Sequence, residues 1–71
     1  MNQNNSEIST KVRLVRLTEV IDTTGRSRSS IYSDIKEGVF PKPIKIGKRA
    51  VAWPSEDITK WIADRINGGE Q

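Results

Sequence analysis

The sequence predicts a small α+β domain, mainly α, with three short helices and a two- or three-stranded β-hairpin unit. Three observations predict it. Residues Thr18 to Tyr32 carry two helical segments separated by a glycine turn. The Phe40-Pro41-Lys42-Pro43 step excludes helix and leads into two apolar runs around Gly47-Lys48-Arg49. Finally, Ile58, Trp61, Ile62 and Ile66 recur at i, i+3, i+4 and i+8, an amphipathic helical stripe.

Met1 to about Thr10 is polar, rich in Asn and Ser, and without periodicity, so residues 1–10 are expected to form a disordered tail. Residues 11–67 are the expected folded domain, and 68–71 a flexible C-terminus. The apolar-basic run from Val12 to Leu17 reads as an extended lead-in, one strand able to pair with the hairpin. Thr18 is the expected N-cap of the first helix, with Glu19 adding negative charge to the first turn and Leu17 placed as a hydrophobic staple. Val20 and Ile21 supply its buried side. Gly25 ends it, because glycine adopts positive φ at little cost.

Ser27 is the expected cap of the second helix. Ile31 and Ile35, four residues apart, mark its buried face. On a helical wheel Ser29, Ser33 and Lys36 lie opposite, with Tyr32 at the border. Gly38 stops it. Two helices joined by a short turn containing glycine have helix-turn-helix spacing. Lys45-Ile46 and Ala50-Val51-Ala52-Trp53 read as two strands, with Gly47-Lys48-Arg49 as a cationic turn between them. The third helix starts at Pro54-Ser55-Glu56-Asp57, with Ser55 as expected cap and two acids in its first turn. Asn67-Gly68-Gly69 is expected to stop it. Trp53 and Trp61 are both expected in the core, where so small a domain needs large aromatics.

Composition narrows the function. The chain has 71 residues, no cysteine and no histidine. Disulfides and Cys-based zinc sites are excluded, and the commonest general base and metal ligand is missing. Glu56 and Asp57 are explained by their place in a first turn. No enzyme activity, cofactor, metal or small-molecule ligand is expected. The N-terminus has no apolar core of a secretory signal, and no run approaches the roughly 20 apolar residues of a membrane span. The expected location is the cytoplasm, at the nucleoid.

Net charge is only +3, but it is unevenly spread. From Arg26 to Arg49 seven basic residues face two acidic ones, whereas residues 50–71 carry net −2. A positive centre on a helix and a hairpin suits a polyanion. Lysine and arginine neutralise phosphates, and serine hydroxyls and helix N-terminal amides bond phosphate oxygens. Arginine also bonds guanine through two donors in the major groove. Arg26, Ser27, Arg28, Ser29, Ser30, Tyr32, Ser33 and Lys36 are therefore the candidate DNA-binding helix residues. Arg28 stands out, because a helix start is an unfavourable place for a cation. Ser29 and Ser30 are equally readable as first-turn residues, and Tyr32 as a cover for the core. Lys45, Lys48 and Arg49 are the candidate wing residues. A hairpin turn does not require two adjacent cations, so folding alone does not explain Lys48 and Arg49.

Ser27-Arg28-Ser29-Ser30-Ile31-Tyr32, Ile35-Lys36-Glu37-Gly38, Phe40-Pro41-Lys42-Pro43-Ile44-Lys45-Ile46-Gly47 and Arg49-Ala50-Val51-Ala52-Trp53 together resemble the AlpA family of phage and prophage regulators. The likeness runs from about Arg13 to Ile66. The family is similar to excisionases and to the DNA-binding part of MerR-type regulators. The resemblance implies a small winged helix-turn-helix that binds double-stranded DNA. By that likeness the second helix, from Arg28 to Glu37, enters the major groove, and Lys48 and Arg49 lie on the wing.

The expected function is sequence-specific transcriptional regulation of a prophage or integrated mobile element. Two alternatives stand beside it: an excisionase-like factor that bends DNA, and a protein-binding antirepressor module. Self-association on repeated sites and a recombinase or integrase partner are further expectations.

Overall fold

The sheet is the frame on which the helices sit, and its middle strand is the most buried. A computed structural model describes residues 13–68. The tail expected at 1–10, the lead-in residues before Arg13 and the last three residues lie outside this range. The order is β1 (Leu14–Val15), α1 (Leu17–Thr24), α2 (Arg28–Lys36), β2 (Ile44–Gly47), β3 (Ala50–Pro54) and α3 (Ser55–Gly68). The three strands form an antiparallel sheet in the order β1-β3-β2. Three helices with a hairpin in this arrangement make a winged helix-turn-helix.

The lead-in does pair with the hairpin: Val15 lies opposite Trp53 and Leu14 opposite Pro54. Central position explains why β3 carries the fully buried Ala52 and Trp53. Edge position leaves all of β2 exposed, Ile44 and Ile46 included. The core gathers Val15, Val20, Ile31, Phe40, Trp53 and Ile58, one or two residues from nearly every element. Phe40 meets Trp53 edge-on and tilts against Trp61, with ring centroids 6.5 and 5.1 Å apart. The Trp53 indole N–H donates to the Pro41 carbonyl at 2.8 Å. The Phe-Pro step thus pins the loop after α2 to the central strand, as a buried indole needs a polar partner.

Local signals place the helices that carry the site. Gly25 has φ 74°, and its N–H bonds the Ile21 carbonyl, closing α1 as expected. The Thr24 hydroxyl accepts from the Arg26 amide, shaping the turn. The Ser27 hydroxyl caps α2 by accepting from the Ser30 amide at 3.2 Å. Gly38, at φ 81°, ends it in a Schellman motif, with Gly38 N–H on the Ile35 carbonyl and Val39 N–H on that of Asp34.

Several local expectations are corrected. Thr18 does not cap α1. The helix begins two residues earlier than a Thr18 cap would place it, at Leu17, because the Arg16 carbonyl already accepts from both Glu19 and Val20. Arg16 stands at the N-cap, and no side chain caps that end. Leu17 is therefore a first-turn residue rather than a staple outside the helix. Ser55 does not precede α3 but opens it, and its hydroxyl accepts from the Arg13 amide instead. Its own N–H donates to the Arg13 carbonyl, so the strand pairing of β1 occupies Ser55 on both sides. Asn67 and Gly68 do not stop α3, which runs through both to the end of the described residues. Trp61 is only partly buried, and Ile66 is 74% exposed, because the last turn of α3 extends past the core it packs on. The hairpin tip is Lys48-Arg49 alone, Gly47 pairing with Ala50 at the end of β2. A bulge between Lys45 and Gly47 leaves Ile46 as the extra residue.

Candidate nucleic-acid interface

The basic residues divide by what they touch. Arg13 pairs with Glu19 at 2.9 Å, Lys60 with Asp64 at 3.4 Å, and Arg26 with Asp34. Arg26 sits in the turn before α2 and reaches along the helix to a carboxylate that is only 19% exposed. Its guanidinium fixes the turn against α2. Among the described residues, no carboxylate pairs with Arg16, Arg28, Lys36, Lys45, Lys48 or Arg49.

Helix α2 offers the face that the sequence predicts. Ile31 is fully buried and Ile35 partly so, while Arg28, Ser29, Ser33 and Lys36 are exposed and Tyr32 is 40% exposed. The Arg28 guanidinium lies 5.9 Å from the centroid of the Tyr32 ring, near the outer limit of a cation–π contact. Lys36 lies eight residues on, about 12 Å along the axis at 1.5 Å per residue. Ser27 and Ser30 are engaged with each other. The Ser27 hydroxyl accepts from the Ser30 amide and donates to its hydroxyl at 3.0 Å, so both serve the cap.

The hairpin brings its tip beside this helix. Lys45 is exposed on the edge strand opposite Val51, and Lys48 and Arg49 form the exposed turn. Arg49 and Val51 line an open groove of about 480 Å³ with Arg28 and Tyr32 of α2 and Arg16 and Thr18 at the start of α1. The fold therefore places three arginines from three elements around one space that, among the described residues, no acidic side chain lines. Arg16 was not singled out by the sequence reading. It lies in a short apolar-basic run that reads as an extended lead-in. What marks it is its position just before a helix that no side chain caps.

This arrangement belongs to a recognisable class, the small winged helix-turn-helix regulators. The chain belongs to the AlpA family: the family model described as prophage CP4-57 regulatory protein (AlpA) matches residues 13–66. It is 42% identical over 59 residues to an uncharacterised protein, ORF88, of Enterobacteria phage P4, covering 83% of this chain and 67% of that one. It is 33% identical over 60 residues to the DNA-binding transcriptional activator AlpA of Escherichia coli K12, covering 76% of this chain and 86% of that one. No solved structure matches. The family match starts at Arg13 and ends at Ile66, so it takes in the first five elements, α3 as far as Ile66, and the whole groove.

Proposed function

We propose that the protein binds duplex DNA and regulates transcription of a prophage or related integrated element. The carrying observation is the convergence of Arg16, Arg28 and Arg49, free of carboxylate partners, between α2 and the hairpin. A folded surface that holds like charges together without counter-charges is complementary to a polyanion. Membership of the AlpA family supports the regulatory role, as does the likeness to a protein described as a DNA-binding transcriptional activator.

In this reading α2 lies in the major groove with Ser29, Tyr32, Ser33 and Lys36 toward the bases. Lys45, Lys48 and Arg49 follow the sugar-phosphate backbone as a wing. Ser27, Ser30 and Arg26 hold the helix start in place.

The test is the salt dependence of binding to duplex DNA. Five to seven cations facing the duplex, each contributing about −0.9, give a log–log slope of roughly −4.5 to −6. Titrations by fluorescence anisotropy at four or five salt concentrations measure it. A slope near zero, or no binding to any duplex selected from a random pool, overturns the proposal.

A further inference from the structure

The groove at the junction of α1, α2 and the hairpin has a feature that DNA binding in general does not require. Among the described residues, its charged side chains are three arginines. Arg16 stands before α1, Arg28 opens α2 and Arg49 sits at the hairpin tip, 12 and 33 residues from Arg16 in sequence. Three other clefts of the described surface each carry a carboxylate: Asp64 beside Arg65, Asp57 beside Lys60, and Glu19 beside Arg13. This one gathers cations without an acid among the described residues that line it.

We propose that Arg16, Arg28 and Arg49 close on one phosphodiester of the DNA backbone, so that α1, α2 and the wing share a single anchoring point. The inference rests on the DNA-binding reading and adds to it a ligand for the groove, a role for Arg16 and a different role for Arg28. Arg28 anchors the helix on backbone instead of bonding a base edge.

Four features favour a phosphodiester as the occupant. Two non-bridging oxygens on a tetrahedral phosphorus accept from several directions, which suits guanidinium groups arriving from three elements. A planar side-chain carboxylate is satisfied by one guanidinium fork. Thr18 lines the same groove and carries a hydroxyl of the type that bonds phosphate oxygens. The N-terminus of α1 opens there with no side chain capping it, so its first amides add to the positive end. The hydroxyl expected to cap them, that of Thr18, lies inside the helix instead.

The arrangement also has a structural consequence. A phosphate held by all three arginines ties the hairpin to α2 through the ligand. Wing and helix then bind as a unit, and their contributions are coupled.

The test compares wild type, Arg16→Ala, Arg49→Ala and the double variant, with circular dichroism as the folding control. The target is a duplex selected from a random pool by the wild-type protein. A set of versions carries one neutral methylphosphonate at each backbone position in turn. Arg16→Ala is expected to fold as wild type and to bind roughly ten-fold more weakly, on selected and scrambled duplexes alike, with the salt slope reduced by about one. The losses of Arg16→Ala and Arg49→Ala should multiply to less than their product, because both remove the same anchor. One methylphosphonate position should weaken wild type and leave the Arg16→Ala variant nearly unaffected. Wild-type-like binding by Arg16→Ala overturns the inference, as do fully multiplicative losses that map to different phosphates. If the wild-type protein enriches no duplex at all, it is the DNA reading itself that fails.

Discussion

Two surfaces of this domain hold cations and treat them in opposite ways. On α3, Lys60 pairs with Asp64 one turn away, and the Arg65 guanidinium lies 4.6 Å from the centroid of the Trp61 ring. Each cation there has a partner within its own helix. On the surface shared by α1, α2 and the hairpin, Arg16, Arg28 and Arg49 line a groove together and meet no carboxylate. Ordinary folding accounts for the first surface, since i,i+4 pairs and cations over aromatic rings stabilise a helix modestly. It does not account for the second, which keeps like charges close and gains nothing from it until an anion arrives. The lesson is that a cation's role is read from its neighbours more than from its sequence position. Arg26 and Arg28 make the point within three residues: the first is bound to Asp34, the second is free of any acid.

The largest expected effect tests whether the two surfaces rest on one core or on two. Trp53 is fully buried in the central strand and hydrogen-bonded, and β3 also supplies Val51 to the groove. Trp61 is half-buried beneath the α3 surface. Trp53→Ala should cost about 3 to 5 kcal/mol, a large share of the stability of so small a domain, and should abolish DNA binding by unfolding the protein. Trp61→Ala should cost roughly 1 to 3 kcal/mol, since part of its ring already meets water, and should leave the salt slope unchanged. Urea unfolding followed by circular dichroism measures both. Equal losses would mean that the core is not centred on β3 as described.

The next effect separates the two neighbouring arginines. Arg28→Ala should leave the melting temperature unchanged and weaken binding to every duplex about ten-fold, as a lost charge-assisted contact does. Arg26→Ala should do the reverse. It leaves the half-buried Asp34 without its partner, at a cost of roughly 1 to 2 kcal/mol of stability, between the values for exposed and buried pairs. At a temperature where the variant is fully folded, its DNA affinity should stay within about two-fold of wild type, since a side chain already paired has little charge left to offer. Thermal melts and anisotropy on the same samples read both. If Arg26→Ala weakens binding as much as Arg28→Ala while melting like the parent, the division between paired and open cations does not govern DNA contact.

The sequence carried the elements of this fold but little of how they meet. Gly25, Ser27 and Gly38 announced the turn, the cap and the stop around α2 because each acts through its own backbone. The Ile31 and Ile35 spacing gave the buried face because helical periodicity is local. Thr18 and Ser55 misled for a common reason. Each lies where a strand runs into a helix with almost no loop, and the pairing of β1 with β3 decides which residue is outside the helix. That pairing joins residues about 40 apart, beyond the reach of a capping rule. The α2 face was legible for the same local reason, whereas the groove was not. Arg28 and Arg49 were read as separate instruments, helix and wing, and Arg16 as part of a strand. Only the three-element packing brings them to one space.

The smallest expected effect is also the control on which the comparison stands. Lys60→Ala removes one positive charge from the protein, as Arg28→Ala does, but from a pair whose side chains are 76% and 69% exposed. Such an i,i+4 pair is worth about 0.3 to 0.5 kcal/mol, so stability should fall by no more than that. Its effect on DNA decides between two accounts of affinity. If net charge alone draws the protein to DNA, Lys60→Ala and Arg28→Ala should weaken binding equally and lower the salt slope equally. If affinity comes from phosphates neutralised at the groove, Lys60→Ala should change binding less than two-fold at 0.1 M salt. Charges more than about 10 Å from the duplex are largely screened there. The slope should then match wild type, because no counterion is released at a side chain that touches no phosphate. Anisotropy titrations of the two variants side by side measure the difference. A Lys60→Ala variant that loses ten-fold would show that the α3 surface also meets DNA, and the contrast between the two surfaces would have to be redrawn around a larger footprint.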